Sequence, residues 1–497
     1  MDSNFNSSTL LLLITTMIII IIFSLNFLNQ KKKKKLPPSP PAFPIIGHLH
    51  LLKGQLHRDL QALSGKYGPI MYLKFGCRPT LVISSPSIAE ECLTKNDIIL
   101  ANRPNFLFSK HFAYNSSTIG SAPYGDHWRN LRRISTIHIF SSLSVHNSSG
   151  IWTEEIRLNV QKLGKKSNSD TEIWKEVDLS CLLQDIVRDV IMRMVCGNRW
   201  PPEADMFKIF SSLMNICDYI PILGWIGFGG IEKKIKKLQA KRDKFLQDLV
   251  DEGRRNRESF SKMDEQKRKT IVQVLLSLQE AEPEFYSDNV VKAMILTMFS
   301  AGTDTSTLTM QWAMSLLLNY PEVLEKARNE IDKQIGQERL LEDSDFAKLP
   351  YLRCIINETL RLFPVAPLLV PHFSSKECTI NGYKISRDTT IMINAWAIHR
   401  DPKVWEDPLK FKPERFEEID EGFRFIPFGK GRRSCPGNTM ALRFVALALG
   451  TFIQCFEWKR LGREMVDLEE KSGLTMHKVK PLVALYRPRP SMINFVP

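Results

Sequence analysis

The chain has 497 residues, of which 43% are hydrophobic and 25% are charged, and its formal net charge is +14. That length permits a large core and about three domains of ~150 residues. The nine cysteines are scattered and contain no Cys-x-x-Cys pair, which excludes a disulfide framework or a zinc finger and indicates a reducing compartment. The basic residues form no pattern that reads nucleic acid, so no nucleic-acid partner is expected.

The first predicted element is a transmembrane helix within residues 10–30. Residues 10–28 read LLLLITTMIIIIIFSLNFL, 19 residues without a charge, and as a helix they would cover about 28 Å of a hydrocarbon core ~30 Å thick. A lysine run follows at residues 31–35. A basic block after the apolar run favours a retained anchor with a luminal N-terminus, residues 1–9, and a cytosolic body. A buried core helix is the alternative.

A basic and proline-rich hinge, residues 31–50, comes next. It holds five prolines between Pro37 and Pro44, which predict a stiff, extended segment that keeps the body close to the membrane. No repeat and no second linker divides residues 51–497, so these residues are predicted to form one cytosolic domain.

Helical periodicity dominates residues 126–362, whereas strand-like stretches occupy residues 71–85 and 378–396. The Asn381-Gly382 pair in the second stretch is a strong hairpin-turn signal. The fold class is therefore mainly α with smaller β-sheets. Residues 219–230 read YIPILGWIGFGG and precede a basic segment, which fits either a loop that dips into a membrane surface or a packed loop.

The segment FGKGRRSCPGN, residues 428–438, places Cys435 among three glycines. An apolar helical pattern follows, with proline in its predicted first turn. Free N–H groups and the positive end of the helix dipole at this point favour a thiolate. Two uses fit a lone thiolate: the nucleophile of a hydrolase, whose histidine partner the sequence does not place, or the single axial ligand of a haem iron.

A second unusual stretch is AGTDTS, residues 301–306, inside a long apolar helical run over residues 287–320. Gly302 and three hydroxyl residues weaken a helix, and Asp304 is costly to bury without a partner. These features in mid-helix indicate either a segment shaped by function or a Ser/Thr-rich kink in a core helix.

Phe428, Gly431, Arg433, Cys435 and Gly437 match the FxxGxRxCxG signature of cytochrome P450 enzymes, and the resemblance extends in order from the anchor nearly to the C-terminus. It implies the cytochrome P450 fold behind a single N-terminal transmembrane helix. It also implies a haem b cofactor whose iron takes the Cys435 thiolate as its axial metal ligand, with Phe428, Arg433 and Gly437 as neighbouring cofactor-binding residues.

Two further segments resemble the family's paired ExxR and PERF motifs. They read NETLRLF at residues 357–363 and PERF at residues 413–416. The resemblance implies that Glu358, Arg361 and Arg415 form a structural lock beneath the haem. Without it, an i,i+3 ion pair on a helix surface would be common and weak.

Trp128 and Arg132 match the family's WxxxR motif, which implies that both contact haem propionates, since the arginine fork suits a carboxylate. Without that resemblance, a solvated basic face would explain the segment equally well. His372 lies where the family often places a further propionate contact, so it is also a predicted cofactor-binding residue.

AGTDT matches the family's AGxDT segment, which crosses the distal face of the haem. The resemblance implies that Ala301 lies against the cofactor and that the small residues open a groove for dioxygen. It makes Asp304 and Thr305 the catalytic residues that relay protons when the O–O bond breaks. Family members that rearrange peroxides commonly lack this pattern, so Thr305 favours oxygen activation.

At a finer level, ANRP at residues 101–104 and APYGDHWRNLRR at residues 122–133 resemble plant specialised-metabolism members of the family. AEECLTKND at residues 89–97 and GLTMHKVKPL at residues 473–482 are most similar to the isoflavone hydroxylase and sesamin synthase group. By family position, the predicted substrate contacts are Phe106, Phe108, Phe112, Ala301, Val365, Leu368, Val370, Leu474 and Met476.

The resemblance implies a haem-thiolate monooxygenase of the endoplasmic reticulum membrane that hydroxylates an aromatic metabolite of the flavonoid, lignan, indole or alkaloid class. Dioxygen is the co-substrate, and NADPH electrons arrive through NADPH–cytochrome P450 reductase. The reductase could dock on a basic face formed by Arg129, Arg133, Lys430 and Arg432. Oxidative ring closure, such as a methylenedioxy bridge or a coupling, is one alternative. A membrane-anchored binding or scaffold protein without catalysis is the other.

Overall fold

The computed structural model describes residues 14–17, 36–167, 172–201, 216–225, 230–260, 269–418 and 421–496. Of the predicted anchor, only residues 14–17 are described, and they are helical and exposed. The predicted luminal residues 1–9 and the lysines at 31–35 lie outside the described residues. Among the described helices, only Asn438–Cys455 has the length and apolar composition of a membrane span, and 72% of it is buried, as in a core helix.

Helices make up 55% of the protein, which confirms the mainly helical prediction. In chain order the α-helices are α1 (Leu56–Tyr67), α2 (Pro86–Leu93), α3 (Asp97–Leu100), α4 (Leu107–His111), α5 (Asp126–Ile134), α6 (Ser142–Lys166), α7 (Leu179–Cys196), α8 (Ile216–Tyr219), α9 (Pro221–Trp225), α10 (Ile231–Phe260), α11 (Ile271–Ala281), α12 (Asp288–Asn319), α13 (Pro321–Gln334), α14 (Pro350–Leu362), α15 (Ala395–Ile398) and α16 (Asn438–Cys455). Short 3-10 helices lie at Leu49–Leu51, Asp343–Lys348, Pro413–Phe416 and Pro490–Phe495, and a π turn lies at Ser135–Ile139.

Three small sheets accompany the helices. Their strands are β1 (Ile70–Phe75), β2 (Arg78–Ile83), β3 (Lys175–Asp178), β4 (His372–Phe373), β5 (Cys378–Ile380), β6 (Tyr383–Ile385), β7 (Thr390–Ile393), β8 (Phe456–Arg460) and β9 (Val483–Pro488). One sheet has the order β1-β2-β7-β4, in which only β2 and β7 pair in parallel. Both predicted strand regions are confirmed, whereas the antiparallel sheet β3-β9-β8 was not predicted, because its strands are short and distant in sequence.

The predicted turn at Asn381-Gly382 joins β5 to β6 in an antiparallel hairpin. Both turn residues have positive φ angles, 47° for Asn381 and 74° for Gly382. Two successive positive φ angles are what the favoured two-residue hairpin turn requires, and Asn-Gly adopts them at the lowest steric cost. The hairpin prediction is therefore confirmed.

The proline-rich segment lies along the edge of β1. The Tyr72 N–H donates to the Pro38 carbonyl oxygen at 2.9 Å, and the His48 N–H donates to the Lys74 carbonyl oxygen at 2.7 Å. Gly47 permits this close approach, because its φ is +60° and a Cβ there would lie 2.0 Å from the Lys74 oxygen. The segment predicted as a hinge thus covers the open hydrogen-bonding edge of the sheet.

α12 is the central helix, and its bounds agree with the predicted helical run over residues 287–320. It packs along α7, α14 and α16. Two of the three hydroxyl groups that were expected to weaken it, those of Thr303 and Thr305, donate to the carbonyl oxygens of Phe299 and Ala301, each at 2.6 Å. Both hydroxyls are thus satisfied within the helix, and α12 continues through the AGTDTS segment.

Glu358 and Arg361 on α14 form a fully buried ion pair that also includes Arg415. Arg361 Nε and Nη2 donate to the two Glu358 oxygens at 2.7 and 2.8 Å, and Arg415 Nε donates to Glu358 Oε1 at 3.1 Å. The Glu358 and Arg361 side chains are 0% exposed. Arg361 Nη1 donates to the carbonyl oxygens of His399 and Pro408 at 2.7 and 2.8 Å. The pair therefore ties α14 to the chain that leads to the cysteine loop.

His399 extends this attachment toward Cys435. Its backbone oxygen accepts from Arg361, and its ring Nε2 accepts from the Ile426 N–H at 2.9 Å. Burial, with the charges of Arg361 and Arg400 adding to it, lowers the pKa of His399 to about 3. The ring therefore stays neutral and keeps an acceptor nitrogen for the segment that enters the cysteine loop.

Replacement of Arg361 by alanine would leave Glu358 buried without its bidentate partner, and we expect the free energy of unfolding to fall by about 3–5 kcal/mol. Urea unfolding followed by circular dichroism measures the change. Arg387→Ala is the control, because the Arg387 side chain is 73% exposed and its removal should change stability by less than about 0.5 kcal/mol. Equal losses in the two variants would contradict the importance of the buried pair.

Candidate functional site

The segment around Cys435 is a tight loop that leads into α16. The Cys435 N–H donates to the Phe428 carbonyl oxygen at 2.9 Å and closes the loop, while Gly429 and Gly431 have φ angles of +66° and +71°. At Gly431 a Cβ would lie 2.7 Å from the Leu93 carbonyl oxygen. Glycine is therefore required both for the backbone conformation and for the contact between this loop and the end of α2.

α16 begins at Asn438, so Pro436 precedes the helix and does not lie in its first turn as predicted. The Gly437 N–H is directed at the Cys435 sulfur. Burial raises the pKa of the Cys435 thiol, although the Gly437 N–H and the Arg132 charge act to lower it. The backbone N–H therefore acts in the predicted direction but is outweighed by burial, and a coordinated metal ion would supply the deprotonation.

Arg103, Arg132 and Arg433 converge near this loop and are partly buried. All three donate to backbone carbonyl oxygens; Arg132 Nη1, for example, donates to Ser434 O at 2.6 Å. The Arg433 guanidinium also lies 4.4 Å from the centroid of the Trp128 ring. Within the described residues, none of the three arginines forms an ion pair with a carboxylate.

His372 is buried beside these arginines. Its Nδ1 lies 3.0 Å from the Leu100 carbonyl oxygen, which makes Nδ1 the donor and leaves Nε2 as an acceptor. Burial, followed by the charges of Arg103 and Arg433, lowers the pKa of His372 to about 3. Burial also lowers the pKa of Arg433 to about 10, and the Arg132 charge adds to this effect. A region that destabilises several cations in this way favours an anionic ligand.

One turn of α12 is open in an otherwise buried helix. Ala301 is exposed and residues 302–305 are partly exposed, whereas residues 306–319 are buried. Because other helices surround α12, this exposure indicates a cavity beside the small residues. Thr305 Oγ1 donates to the Ala301 carbonyl oxygen at 2.6 Å within this turn.

The Asp304 carboxylate is bound by residues 473–478, the loop that was predicted to contact substrate. Its Oδ2 accepts from Thr475 Oγ1 at 3.0 Å, and its Oδ1 lies 3.0 Å from His477 Nε2. These partners offset the free-energy cost of placing a carboxylate in the central helix. The sequence indicated Asp304 and Thr305 but neither of the two partners.

The other predicted substrate residues differ in exposure. Val370 is 43% exposed, Leu474 is partly exposed, and Val365, Leu368 and Met476 are buried. The Met476 N–H donates to the Val365 carbonyl oxygen at 2.9 Å. This bond joins the predicted substrate segment at Val365 to the loop that holds Asp304.

The predicted aromatic contacts Phe106 and Phe112 both lie beneath arginines. The Arg78 guanidinium is 4.9 Å from the Phe106 ring centroid, and the Arg242 guanidinium is 4.6 Å from that of Phe112. These cation–π contacts hold the two rings in place, and their stacking on a substrate stays a prediction. The Phe108 side chain lies outside the described residues.

The arrangement fits a haem. It combines one thiol at the end of a glycine-rich loop, a cluster of cations without carboxylate partners, and an open turn of the central helix. Cys435 would ligate the iron, and the propionates would be bound by Arg132 and Arg433. The predicted contacts Trp128 and His372 present no free donor to a carboxylate in this arrangement, because the Trp128 Nε1–H donates to the Ile119 carbonyl oxygen at 3.0 Å and His372 Nε2 is an acceptor. Elsewhere in the described part of the chain, no group of three or more His, Cys, Asp or Glu side chains is placed to hold a metal ion.

The chain belongs to the cytochrome P450 family, whose sequence model matches residues 37–485. The match covers the cysteine loop, the buried ion pair and the open turn of α12. Together with the hydroxylases among its relatives, it makes the protein a cytochrome P450 monooxygenase.

The protein is similar over most of its length to plant members of the family. It is 47% identical over 467 residues to cytochrome P450 81Q32 of Catharanthus roseus, with 91% of each chain covered. It is 44% identical over 475 residues to isoflavone 2'-hydroxylase of Glycyrrhiza echinata, with 92% of this chain and 93% of the relative covered. It is 45% identical over 469 residues to (+)-piperitol/(+)-sesamin synthase of Sesamum radiatum, covering 91% and 90%. The predicted group is thereby confirmed.

Four residues of the site were not singled out by the sequence: Arg103, His399, Thr475 and His477. Arg103 lies in the ANRP segment, and His477 directly follows the predicted contacts at Leu474–Met476. Both residues therefore belong to or adjoin segments that resemble the family. His399 follows the apolar NAWAI segment, where an interior position could be suspected. Their roles depend on partners far along the chain, which no local pattern identifies.

If Cys435 ligates the iron, the reduced protein with carbon monoxide should show a strongly red-shifted Soret band that Cys435→Ala loses. The shift depends on electron density from a thiolate ligand, and a difference spectrum of microsomes measures it. Cys77→Ala is the control, since Cys77 is exposed and should leave the band unchanged. A red-shifted band in the Cys435→Ala variant would contradict the ligand assignment.

Proposed function

We propose that the protein hydroxylates an aromatic plant metabolite of the flavonoid, lignan, indole or alkaloid class, with dioxygen as co-substrate. The observation that carries this proposal is the pair Asp304 and Thr305 on the open turn of α12, in a site that fits a thiolate-ligated haem. The isoflavone hydroxylases among the relatives support an aromatic substrate. The family's general use of NADPH–cytochrome P450 reductase supports NADPH as the source of electrons.

A bound haem supplies the activation of dioxygen at its iron. The residues of the chain define the space around the cofactor and hold or move protons there. Ala301 leaves room beside the open turn, and buried Val365 and Leu368 exclude water from the adjoining wall. Thr305 Oγ1 directs its proton to the Ala301 carbonyl oxygen and, by rotation about χ1, would present it to the cavity. Asp304 would renew that proton, because carboxylates act as general acids and bases.

Oxidative ring closure is the second candidate reaction, favoured by the 45% identity to a (+)-piperitol/(+)-sesamin synthase. Both reactions would use the same residues and cofactor, and they differ in whether an oxygen atom remains in the product. Thr305 supports hydroxylation as the first choice. The intact cysteine loop and AGTDT segment oppose a purely non-catalytic scaffold.

The protein is proposed to lie on the endoplasmic reticulum membrane through the anchor at residues 10–30 and an apolar face of the body. Phe43 and Ile45 are 54% and 80% exposed, and Ile222 and Trp225 on α9 are 60% and 82% exposed. Backbone contacts place both pairs next to the turn between β1 and β2. For the described part of residues 219–230, this exposure favours the membrane-surface interpretation over a packed loop.

Microsomes that contain the protein and a plant reductase should convert a member of a flavonoid, lignan and indole alkaloid panel into a product heavier by one oxygen atom. NADPH-dependent incubation followed by mass spectrometry measures this. A product lighter by two hydrogen atoms would instead indicate ring closure. Cys435→Ala microsomes are the control and should form neither product. If no compound is converted by protein that shows the thiolate band, the proposed substrate classes are wrong.

Docking of the reductase is proposed at exposed basic residues near the cysteine loop. The guanidinium carbons of Arg129 and Arg432 both lie 5.8 Å from the centroid of the Tyr124 ring, so they share one face. Arg133 on α5 and Lys430 in the loop extend the positive charge. An acidic flavoprotein surface is complementary to such a face.

Charge reversal in the double variant Arg129→Glu and Arg133→Glu should slow reduction of the haem by about tenfold at low ionic strength, where charges are least screened. Stopped-flow absorbance under carbon monoxide measures the rate. Arg463→Glu is the control, since Arg463 is exposed in the turn after β8. An unchanged rate in the double variant rules this docking site out.

A further inference from the structure

The loop at residues 473–478 sets the orientation of the Asp304 carboxylate. Thr475 binds one carboxylate oxygen and His477 the other, both at 3.0 Å. The Asp304 and His477 side chains are 27% and 35% exposed. The pair is therefore shielded enough for its charge to matter, yet it remains accessible to solvent protons.

The backbone of this loop is fixed by contacts that do not involve the carboxylate. The Met476 N–H donates to Val365 O at 2.9 Å, and the Met476 carbonyl oxygen accepts from Trp312 Nε1 at 2.8 Å. The Trp312 ring in turn stacks on Phe363, with ring centroids 4.1 Å apart and an interplanar angle of 6°. Because Met476 lies between the two donor residues, these contacts hold both donors in place relative to α12.

We propose that His477 is a positioning residue that holds the Asp304 carboxylate toward the loop and so couples the substrate side of the site to the proton relay. Leu474 and Met476, the predicted substrate contacts, belong to the same loop. The predicted substrate contacts and the donors that orient Asp304 are therefore parts of one loop. This role rests on the proposed function and concerns the same site.

Protonation of His477 determines how firmly the carboxylate is held. Burial acts to lower the pKa of His477, but the hydrogen bond and charge of Asp304 and the Thr475 backbone outweigh it, and the net pKa is raised; Lys471 opposes this rise. Below that pKa an imidazolium forms an ion pair with Asp304. As the pH rises through that pKa, the ring loses its charge and the ion pair becomes a hydrogen bond from a neutral imidazole to the carboxylate. The carboxylate then turns more freely toward Thr305.

The first test requires no catalysis. Deuterium exchange at the histidine C2 carbon, read by mass spectrometry, reports the pKa of individual histidines in the full-length protein in lipid nanodiscs. In Asp304→Asn the carboxylate charge is lost, so the pKa of His477 should fall, while that of exposed His146 on α6 should not change. An identical His477 pKa in the two proteins would overturn the proposal.

The second test measures hydrogen peroxide released per NADPH consumed, over a pH series that spans the measured His477 pKa. In the unaltered protein, peroxide release should fall several-fold as the pH rises through that pKa, because a freer carboxylate delivers protons more efficiently. The glutamine of His477→Gln still donates a hydrogen bond but does not titrate, so this variant should show no fall in peroxide release over the pH series. His146→Gln should show the same fall as the unaltered protein. A step that persists in His477→Gln would refute the positioning role; His477→Asn replaces that variant if it fails to fold.

The outcomes separate this proposal from the proposed function. If the carbon monoxide spectrum lacks the thiolate band, the haem-thiolate assignment fails whatever His477 does. If the band is present but Asp304→Asn leaves the His477 pKa unchanged and His477→Gln leaves the pH dependence of peroxide release unchanged, the positioning role is wrong. The proposed function is not contradicted by that result. A purely structural role for His477 would change peroxide release equally at every pH.

Discussion

The buried ion pair of Glu358 and Arg361 is the interaction on which the position of the cysteine loop depends. Two charges removed from water are tolerated because each Glu358 oxygen and most Arg361 donors have partners at normal hydrogen-bond distances. Arg361 binds the backbone of His399, and the neutral ring of His399 binds the Ile426 N–H. A chain of directional contacts thus extends from the lock to the segment that carries Cys435.

Around that loop the protein holds Arg103, Arg132 and Arg433 partly buried, and within the described residues none of them forms an ion pair with a carboxylate. Burial lowers the pKa values of His372 and Arg433, so keeping their charged forms here has a free-energy cost. An anionic ligand that binds here offsets that cost, and because it binds only the folded chain it also stabilises the fold. Binding of such a ligand and stability would therefore be linked through Arg132 and Arg433.

α12 belongs both to the buried core and to the candidate site. Residues 306–319 are buried and bind the helix into the core, whereas residues 301–305 are partly or fully exposed and include the polar Thr303, Asp304 and Thr305. The Thr303 and Thr305 hydroxyls are satisfied by carbonyl oxygens of the preceding turn, and the helix is continuous at this point. Asp304 needs partners from outside the helix, and the loop at residues 473–478 provides them, so the open turn of α12 and this loop form one unit.

The sequence by itself determined the family, the bounds of α12 and the Asn381-Gly382 hairpin, because motif spacing, periodicity and turn chemistry are local properties. It did not determine that residues 36–48 lie on β1, that burial raises the pKa of the Cys435 thiol, or that His477 binds Asp304. Desolvation depends on everything packed around a group, and the partner of Asp304 is 173 residues away. Only the tertiary structure brings such groups together, since no local pattern encodes the distance between them.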